Sequence, residues 1–336
     1  MYQAGLTRAR SMGPVEEALE RAGISPARVF RRAELPLSLI EHPDQLIPLR
    51  DQLVLVAAAT HELGDPTFPF RLSHSVGIES LGDFGQRISF APSLRASILA
   101  CNESIQRMLQ TMTRMSLSER GGVARWAYEV VDDVRVGRQE NELLAFGYMA
   151  SLLHRFTGSQ PIRAELPSGP HDKVALEDVL GCEIQKGEKA ALLFPAEWLM
   201  AEGPAFSGNG AVDPDRIPFL EDVGAIIEHV IRLGLLGSNS SIRWASRRVR
   251  MSTRTLQRRL SAGGTTFEQV RRRVFLRWAI SLLERSSTPI TEIAYELGYS
   301  DPAHFARAMT RWTGRSPSAW RRDASSCRQE LKLGDD

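Results

Sequence analysis

The last hundred or so residues carry one pattern twice: a short amphipathic stretch, a tight turn, then a stretch with arginines on one side and apolar residues on the other. The first copy runs from Ile242 to Leu260 and turns at Arg250-Met251-Ser252; the second runs from Ile290 to Thr313 and turns at Gly298-Tyr299-Ser300-Asp301. Two helices fixed by a tight turn form a helix-turn-helix, whose second helix can enter a major groove. The second helices lie about 50 residues apart, and the stretch between them reads as one helix of roughly 20 residues, about 30 Å long at 1.5 Å per residue. One turn of B-DNA is about 34 Å. The spacing therefore predicts two reading helices in successive major grooves on one face of a duplex.

Charge divides the chain in the same way. Seventeen arginines, no lysine and six acidic residues fall between Ser238 and Asp323, a net of +11, while the remainder carries −9, so the overall +2 conceals a basic segment joined to an acidic one. A chain of 336 residues is long enough for two separate cores. The asymmetry predicts a domain that binds double-stranded DNA, joined to an ordinary globular domain.

Other classes find no support. Cys101, Cys182 and Cys327 are scattered and form no C-x-x-C pair, so neither a disulfide framework nor a zinc cluster is supported, which fits a reducing cytoplasm. No window of 18 uninterrupted apolar residues and no secretory pattern occurs, so neither membrane spanning nor secretion is expected. His61-Glu62 lacks the second histidine of a zinc-protease helix, and no Walker, G-x-S-x-G or G-x-G-x-x-G pattern is present. An enzyme is not expected, nor any cofactor or metal.

The N-terminal part reads as helices at Val15–Ala22, Pro26–Arg32 and Pro48–Leu63, then from Pro92 to about Met115, where Leu94, Ile98, Cys101, Ile105, Met108, Leu109 and Met112 keep near-helical spacing. Cys101 belongs to that apolar stripe as a small buried hydrophobe. Alternation over Val123–Val131, with Ala124, Trp126, Tyr128 and Val130 against Arg125 and Glu129, predicts a strand. A helix at Glu140–Phe156 follows, then short strands at Ile162–Leu166 and Ala191–Phe194 around a helix at Lys173–Leu180. These elements predict an α+β domain over residues 1–202. A Gly/Pro-rich linker at 203–218, an all-α domain at 219–323 and a disordered tail at 324–336 complete the expected organisation. A small-molecule effector pocket, if the first domain holds one, is expected between the long helix and the strand, with Met108, Trp126 and Tyr128 in its lining.

In the C-terminal part a helix is expected over Phe219–Leu236. Leu256 and Leu260 face inward at i, i+4, which leaves Arg254, Gln257 and Arg258 together on the opposite side. The planar fork of arginine matches guanine O6 and N7, so these three are the first-choice base readers. Arg247, Arg248, Arg259 and the run Arg271-Arg272-Arg273 are expected on phosphate or in water. The connecting helix should open with a capping box, Thr265-x-x-Glu268. Gly298 suits a left-handed turn, and Asp301-Pro302 reads as a cap followed by proline at the first helical position. Phe305, Ala308, Met309 and Trp312 should face the core, leaving Ala303, His304, Arg307 and Arg311 toward DNA. Trp278 and Trp312 are expected in the core rather than stacked on bases.

Met251-Ser252-x-Arg254-x-Leu256-x-Arg258, Ile293-Ala294-x-x-Leu297-Gly298-Tyr299-Ser300-Asp301, Phe305-x-Arg307-Ala308 and Trp312-x-Gly314-x-Ser316-Pro317-x-x-Trp320-Arg321-Arg322 resemble the AraC/XylS family of bacterial transcription regulators, over about 105 residues from Phe219 to Asp323. The resemblance places Arg254, Gln257 and Arg258 at base-contact positions of the first reading helix, and Ala303, His304 and Arg307 at those of the second. It departs at Arg250, where the family usually has glycine. Asp44-x-x-Ile47-Pro48, Gly64-Asp65-Pro66, the helix after Pro92-Ser93-Leu94 and Phe194-Pro195-x-x-Trp198-Leu199 resemble the effector domain of a subgroup that includes ornithine- and arginine-responsive regulators. Together they imply a cytoplasmic homodimer, an activator that responds to a small-molecule effector and contacts RNA polymerase. An effector-independent or architectural DNA binder is the alternative.

Overall fold

The computed structural model describes residues 5–170, 172–203, 216–237, 239–285 and 288–323. The chain forms two compact units, residues 1–220 and 221–336.

In the first unit, β1 (Leu6–Arg8) precedes α1 (Val15–Arg21) and α2 (Pro26–Arg32), and β2 (Leu46–Pro48) returns antiparallel to β1. This pair corrects the all-helical expectation for the first seventy residues. Both strands are buried at every position, so they show no alternation to read. Next come α3 (Leu49–Leu63), α4 (Phe68–Val76), α5 (Asp83–Ser89) and α6 (Leu94–Met108). Ser93 starts α6 by accepting a hydrogen bond from the Ala96 amide.

Helix α6 stops at Met108 instead of running on to Met115. Met112 takes a φ of +54°, and the chain enters a hairpin of β3 (Thr113–Arg120) and β4 (Val123–Val130) through Gly121 and Gly122, at φ +57° and +76°. Two consecutive residues with positive φ match the twist of a tight hairpin, and glycine adopts them without steric cost. The helical spacing up to Met112 conceals that signal.

Then follow α7 (Arg138–Thr157), β5 (Arg163–Leu166), α8 (Lys173–Leu180), β6 (Glu183–Lys186) and β7 (Ala190–Pro195). The sheet order is β3-β4-β7-β5-β6, antiparallel except for the parallel β5-β6 pair. Strand β6, unread in the sequence, buries only Ile184. As the alternation of β4 predicts, Ala124, Trp126, Tyr128 and Val130 are buried; Ala127 is buried too, in a small cluster with Ala191 and Leu193.

The second unit is helical: α9 (Val223–Leu236), α10 (Ile242–Arg248), α11 (Thr253–Ala262), α12 (Phe267–Arg285), α13 (Ile290–Glu296), α14 (Pro302–Thr313) and a last helical segment at 317–323. Helix α9 begins at Val223 rather than Phe219, because Asp222 accepts from the Ala225 amide and caps it there. The capping box of α12 is displaced by one residue from the expected one. Thr266 Oγ1 accepts from the Gln269 amide at 3.2 Å, and Gln269 Oε1 accepts from the Thr266 amide at 2.8 Å. Ala279 and Leu283 of α12, Ile293 and Ala294 of α13, and Phe305 and Met309 of α14 share one core, with Trp278 and Trp320 packed against it.

Of the expected linker, residues 204–215 lie outside the described residues, as do the tail 324–336 and Cys327. Ile217 is buried, and its amide donates to the Arg107 carbonyl at 2.8 Å, inside the first unit.

Candidate nucleic-acid interface

Helix α11 is seated by Leu256 and Leu260, which are 0% and 1% exposed. Ser252 sets its start by accepting from the Thr255 amide at 3.1 Å. That phase leaves Arg254, Gln257 and Arg258 exposed, and neither arginine draws an ion pair from the described residues. Their guanidinium forks are open to an outside acceptor. The other arginines divide in a way the sequence does not reveal. Arg247 is exposed, but Arg248 is buried with its guanidinium 5.0 Å over the Trp244 ring, a cation–π contact that holds it inside. Arg259 is half-buried. Arg273 and Arg277 both pair with Glu228, at 3.0 and 2.8 Å, and tie α12 to α9.

Helix α14 repeats the design with different partners. Asp301 accepts from the Ala303 amide at 2.8 Å, Pro302 follows, and Phe305, Ala308 and Met309 are buried. Ala303, His304, Arg307 and Arg311 are exposed, while Trp312 is half-buried rather than in the core. The Asp301 carboxylate lies 3.8 Å from the Arg307 guanidinium and 3.9 Å from His304 Nε2.

Between α14 and the start of α12 lies a cleft of about 630 Å³. Arg271, Arg272, His304, Arg307 and Arg311 line it against the single acid Glu268, and Phe275, Tyr299 and Trp312 supply aromatic walls. Arg271 is fixed there by Glu268 at 2.6 Å and by the Phe275 ring at 5.9 Å. Converging cations of this kind suit phosphate oxygens. Sequence reasoning named the 271–273 run and the outer face of α14 separately and missed the cleft, because its two walls come from helices distant in the chain.

In the first unit, Trp126 and Tyr128 line a cavity of about 50 Å³, whereas Met108 lies in a separate cleft with Arg87, Arg107 and Arg216. Leu109 and Gln110, where the chain leaves α6, take the place expected for Met108. One wall of the cavity is built on a ring of close polar contacts among buried side chains. Thr7 Oγ1 lies 2.8 Å from Ser11 Oγ, which lies 2.5 Å from Gln52 Oε1 and 2.6 Å from the Arg8 carbonyl. Gln52 donates to Asn141 Oδ1 at 3.1 Å, and Asn141 donates to the Tyr128 hydroxyl at 2.7 Å. Gln110 donates to the same hydroxyl at 2.8 Å and accepts from Thr7 at 3.3 Å. Burial pushes the Tyr128 phenol up, so it stays protonated. Burial likewise pushes up the Cys101 thiol, whose sulfur lies 3.6 Å from Met115 Sδ, as the small-hydrophobe reading requires. Beside Asn141, burial pushes the Glu142 carboxyl up to about 7, against a weaker pull from Arg138.

Residues 23–202 match the family described as the arabinose-binding N-terminal domain of AraC transcription regulators, and residues 245–323 match a helix-turn-helix domain family. The transcriptional regulator VirS of Mycobacterium tuberculosis is 24% identical over 339 residues, covering 96% of this chain and 98% of its own. The ornithine utilization regulator of Pseudomonas aeruginosa is 40% identical over 85 residues, 25% of each chain. Among solved structures, the transcriptional regulator CdpR of Pseudomonas aeruginosa covers 92% of this chain and 96% of its own, at 19% identity and a TM-score of 0.42.

Proposed function

Because the chain belongs to the AraC family of DNA-binding transcription regulators and is not an enzyme, we propose that it sets α11 and α14 into successive major grooves of one operator, under the control of a small-molecule effector held in the N-terminal domain. The observation that carries this reading is the pair of capped helices whose buried residues turn Arg254, Gln257 and Arg258, and then Ala303, His304, Arg307 and Arg311, outward. Helix α12, of 19 residues, spans about 28 Å at 1.5 Å per residue, close to one turn of the duplex. In this arrangement Arg247, Arg271 and Arg272 meet phosphates and fix register, while the outward faces of α11 and α14 read base edges.

On the same reading residues 203–218 link an effector and dimerisation domain at 1–202 to the DNA-binding domain at 219–323. Dimerisation raises the effective concentration of the second DNA-binding unit once the first is seated on a paired site. The regulator acts in the cytoplasm as an activator that contacts RNA polymerase. Among the described residues no helix is long and apolar enough to cross a membrane.

Binding of the full chain to its own upstream DNA and to a scrambled duplex, titrated with salt, tests the proposal. A preference for the upstream DNA that persists as salt rises is the expected result. Equal affinities that fall together would replace it with an architectural binder regulated by dimerisation alone.

A further inference from the structure

We propose that the cavity beside Trp126 and Tyr128 is the effector site, and that its ligand is a small neutral molecule, mainly apolar, with one hydrogen-bond-accepting oxygen. This rests on the reading of the protein as an effector-controlled regulator. The cavity is lined by no charged side chain. The amino and carboxylate groups of an amino acid would be buried there without counter-ions, which costs more than the apolar contacts return. A sugar is disfavoured on other grounds: each hydroxyl needs a partner, and the polar groups of the wall are largely engaged with one another in the ring.

The wall carries two phenol hydroxyls, those of Tyr128 and Tyr148. The Tyr128 hydroxyl is held by Gln110, Asn141 and Thr113, whereas the buried Tyr148 hydroxyl on the same lining makes no hydrogen bond and has its proton to give an occupant. Trp126 presents only its ring, because its indole N–H already donates to Asn102 Oδ1 at 3.0 Å. Leu81, Phe84, Ile105 and Leu144 complete an apolar surface. A volume of about 50 Å³ holds roughly four water-sized groups. Met115 and Met149 also line it, and an aromatic ring of six or seven non-hydrogen atoms enters only as their three-torsion side chains give way. The ligand class is therefore a short alcohol, a small ketone or a phenol.

Thermal unfolding of the full chain is the test, with phenol, benzene, L-ornithine and L-arabinose as probes. Phenol and benzene should raise the melting temperature and saturate, since a ligand of the native state alone stabilises it by mass action; ornithine and arabinose should leave it unchanged. Tyr148→Phe should weaken phenol about tenfold, the loss of one hydrogen bond, and leave benzene binding intact, which also shows that the variant is folded. Ala145→Phe, which fills the cavity, should abolish both shifts; if it does not fold, the Tyr148→Phe comparison decides. A shift with ornithine or arabinose but not with phenol or benzene overturns the ligand class, and so does phenol binding indifferent to Tyr148→Phe. Upstream-DNA binding, measured with phenol and with small metabolites from a cell extract, separates this from the underlying reading. Metabolites that change DNA affinity while neutral probes fail to bind would sink the ligand class alone. Neutral probes that bind, with DNA affinity indifferent to probes and metabolites alike, would sink effector control.

Discussion

The two helix-turn-helix units reach one geometry by different chemistry. In both, the first helix closes with the same pair of backbone bonds: the Arg250 and Gly298 amides donate to Arg247 and Tyr295, and the next amides, of Met251 and Tyr299, donate to Ser246 and Ala294. The residue that must turn left is arginine in one unit, at φ +54°, and glycine in the other, at φ +80°. The second turn is one residue longer, since Tyr299 and Ser300 precede its cap where Met251 alone precedes Ser252. Counted from those caps, the buried pairs coincide, Leu256 with Phe305 and Leu260 with Met309, and so do Arg258 and Arg307. Arg254, however, stands where the second helix has Ala303. The cap of the second helix is also a carboxylate beside its arginine, whereas Ser252 is neutral. Matched backbones therefore present unequal reading surfaces, and the first helix carries more unrestrained hydrogen-bonding capacity.

The largest effect should appear in binding. Arg258→Ala should cost about 1–3 kcal/mol of affinity and relax preference at one base position. Arg307→Ala should cost less, because Asp301 already engages that guanidinium at 3.8 Å. A panel of operators with single base-pair changes, assayed at fixed salt, measures both. Equal losses would break the asymmetry, and a loss uniform over all sequences would make Arg258 a phosphate contact.

Next comes the cap. Ser252→Ala and Asp301→Ala should each destabilise the protein by about 1 kcal/mol, within the 0.5–2 typical of lost N-caps. Only Asp301→Ala should also strengthen nonspecific DNA binding at low salt, since it removes the negative charge facing Arg307 and His304. Chemical denaturation read beside a salt titration of a scrambled duplex separates the two consequences. If Ser252→Ala raises nonspecific affinity as much, the carboxylate is not what restrains the second helix.

Both arginine-bearing helices, α11 and α14, were legible because their signals are local. An i, i+4 apolar pair, a capping side chain and a Gly-Tyr turn all sit within one or two helical turns of sequence. What escaped depends on partners far along the chain or on a one-residue phase. Thr265 and Thr266 each have an acceptor three residues on, and only the burial of Phe267 at the first position of α12 selects the second pair. The arginine run at 271–273 looks uniform until Glu228 of α9 claims Arg273 and leaves Arg271 and Arg272 in the cleft. Arg248 was read as facing phosphate or water because nothing in its own turn shows that the Trp244 ring lies beneath it. In the first unit, β4 declares itself by alternation, but its neighbour β7 arrives only after a long excursion, and the polar ring joins Thr7 to residues as distant as Asn141. Trp126 and Tyr128 were found as an apolar strand face; the hydroxyl partners that give the cavity its polarity were not.

The smallest and sharpest test concerns the turn itself. A left-handed φ costs a residue with a Cβ about 1 kcal/mol, but replacing Arg250 by glycine alone would mix that relief with loss of the side chain's own contacts and with the greater freedom of glycine in the unfolded chain. Comparing Arg250→Gly with Arg250→Ala removes the first complication, since both delete the guanidinium. The same glycine–alanine pair at position 298 supplies the reference, where a Cβ would meet no atom within 4 Å and only the φ of +80° penalises alanine. Glycine should exceed alanine in stability by about 0.5–1 kcal/mol at both positions, after the unfolded-state term that favours alanine is taken off. Denaturation of the four proteins measures the two differences. A difference at 298 with none at 250 would mean that the first unit does not hold its left-handed turn in solution, and that the two units match less closely than their backbone bonds imply.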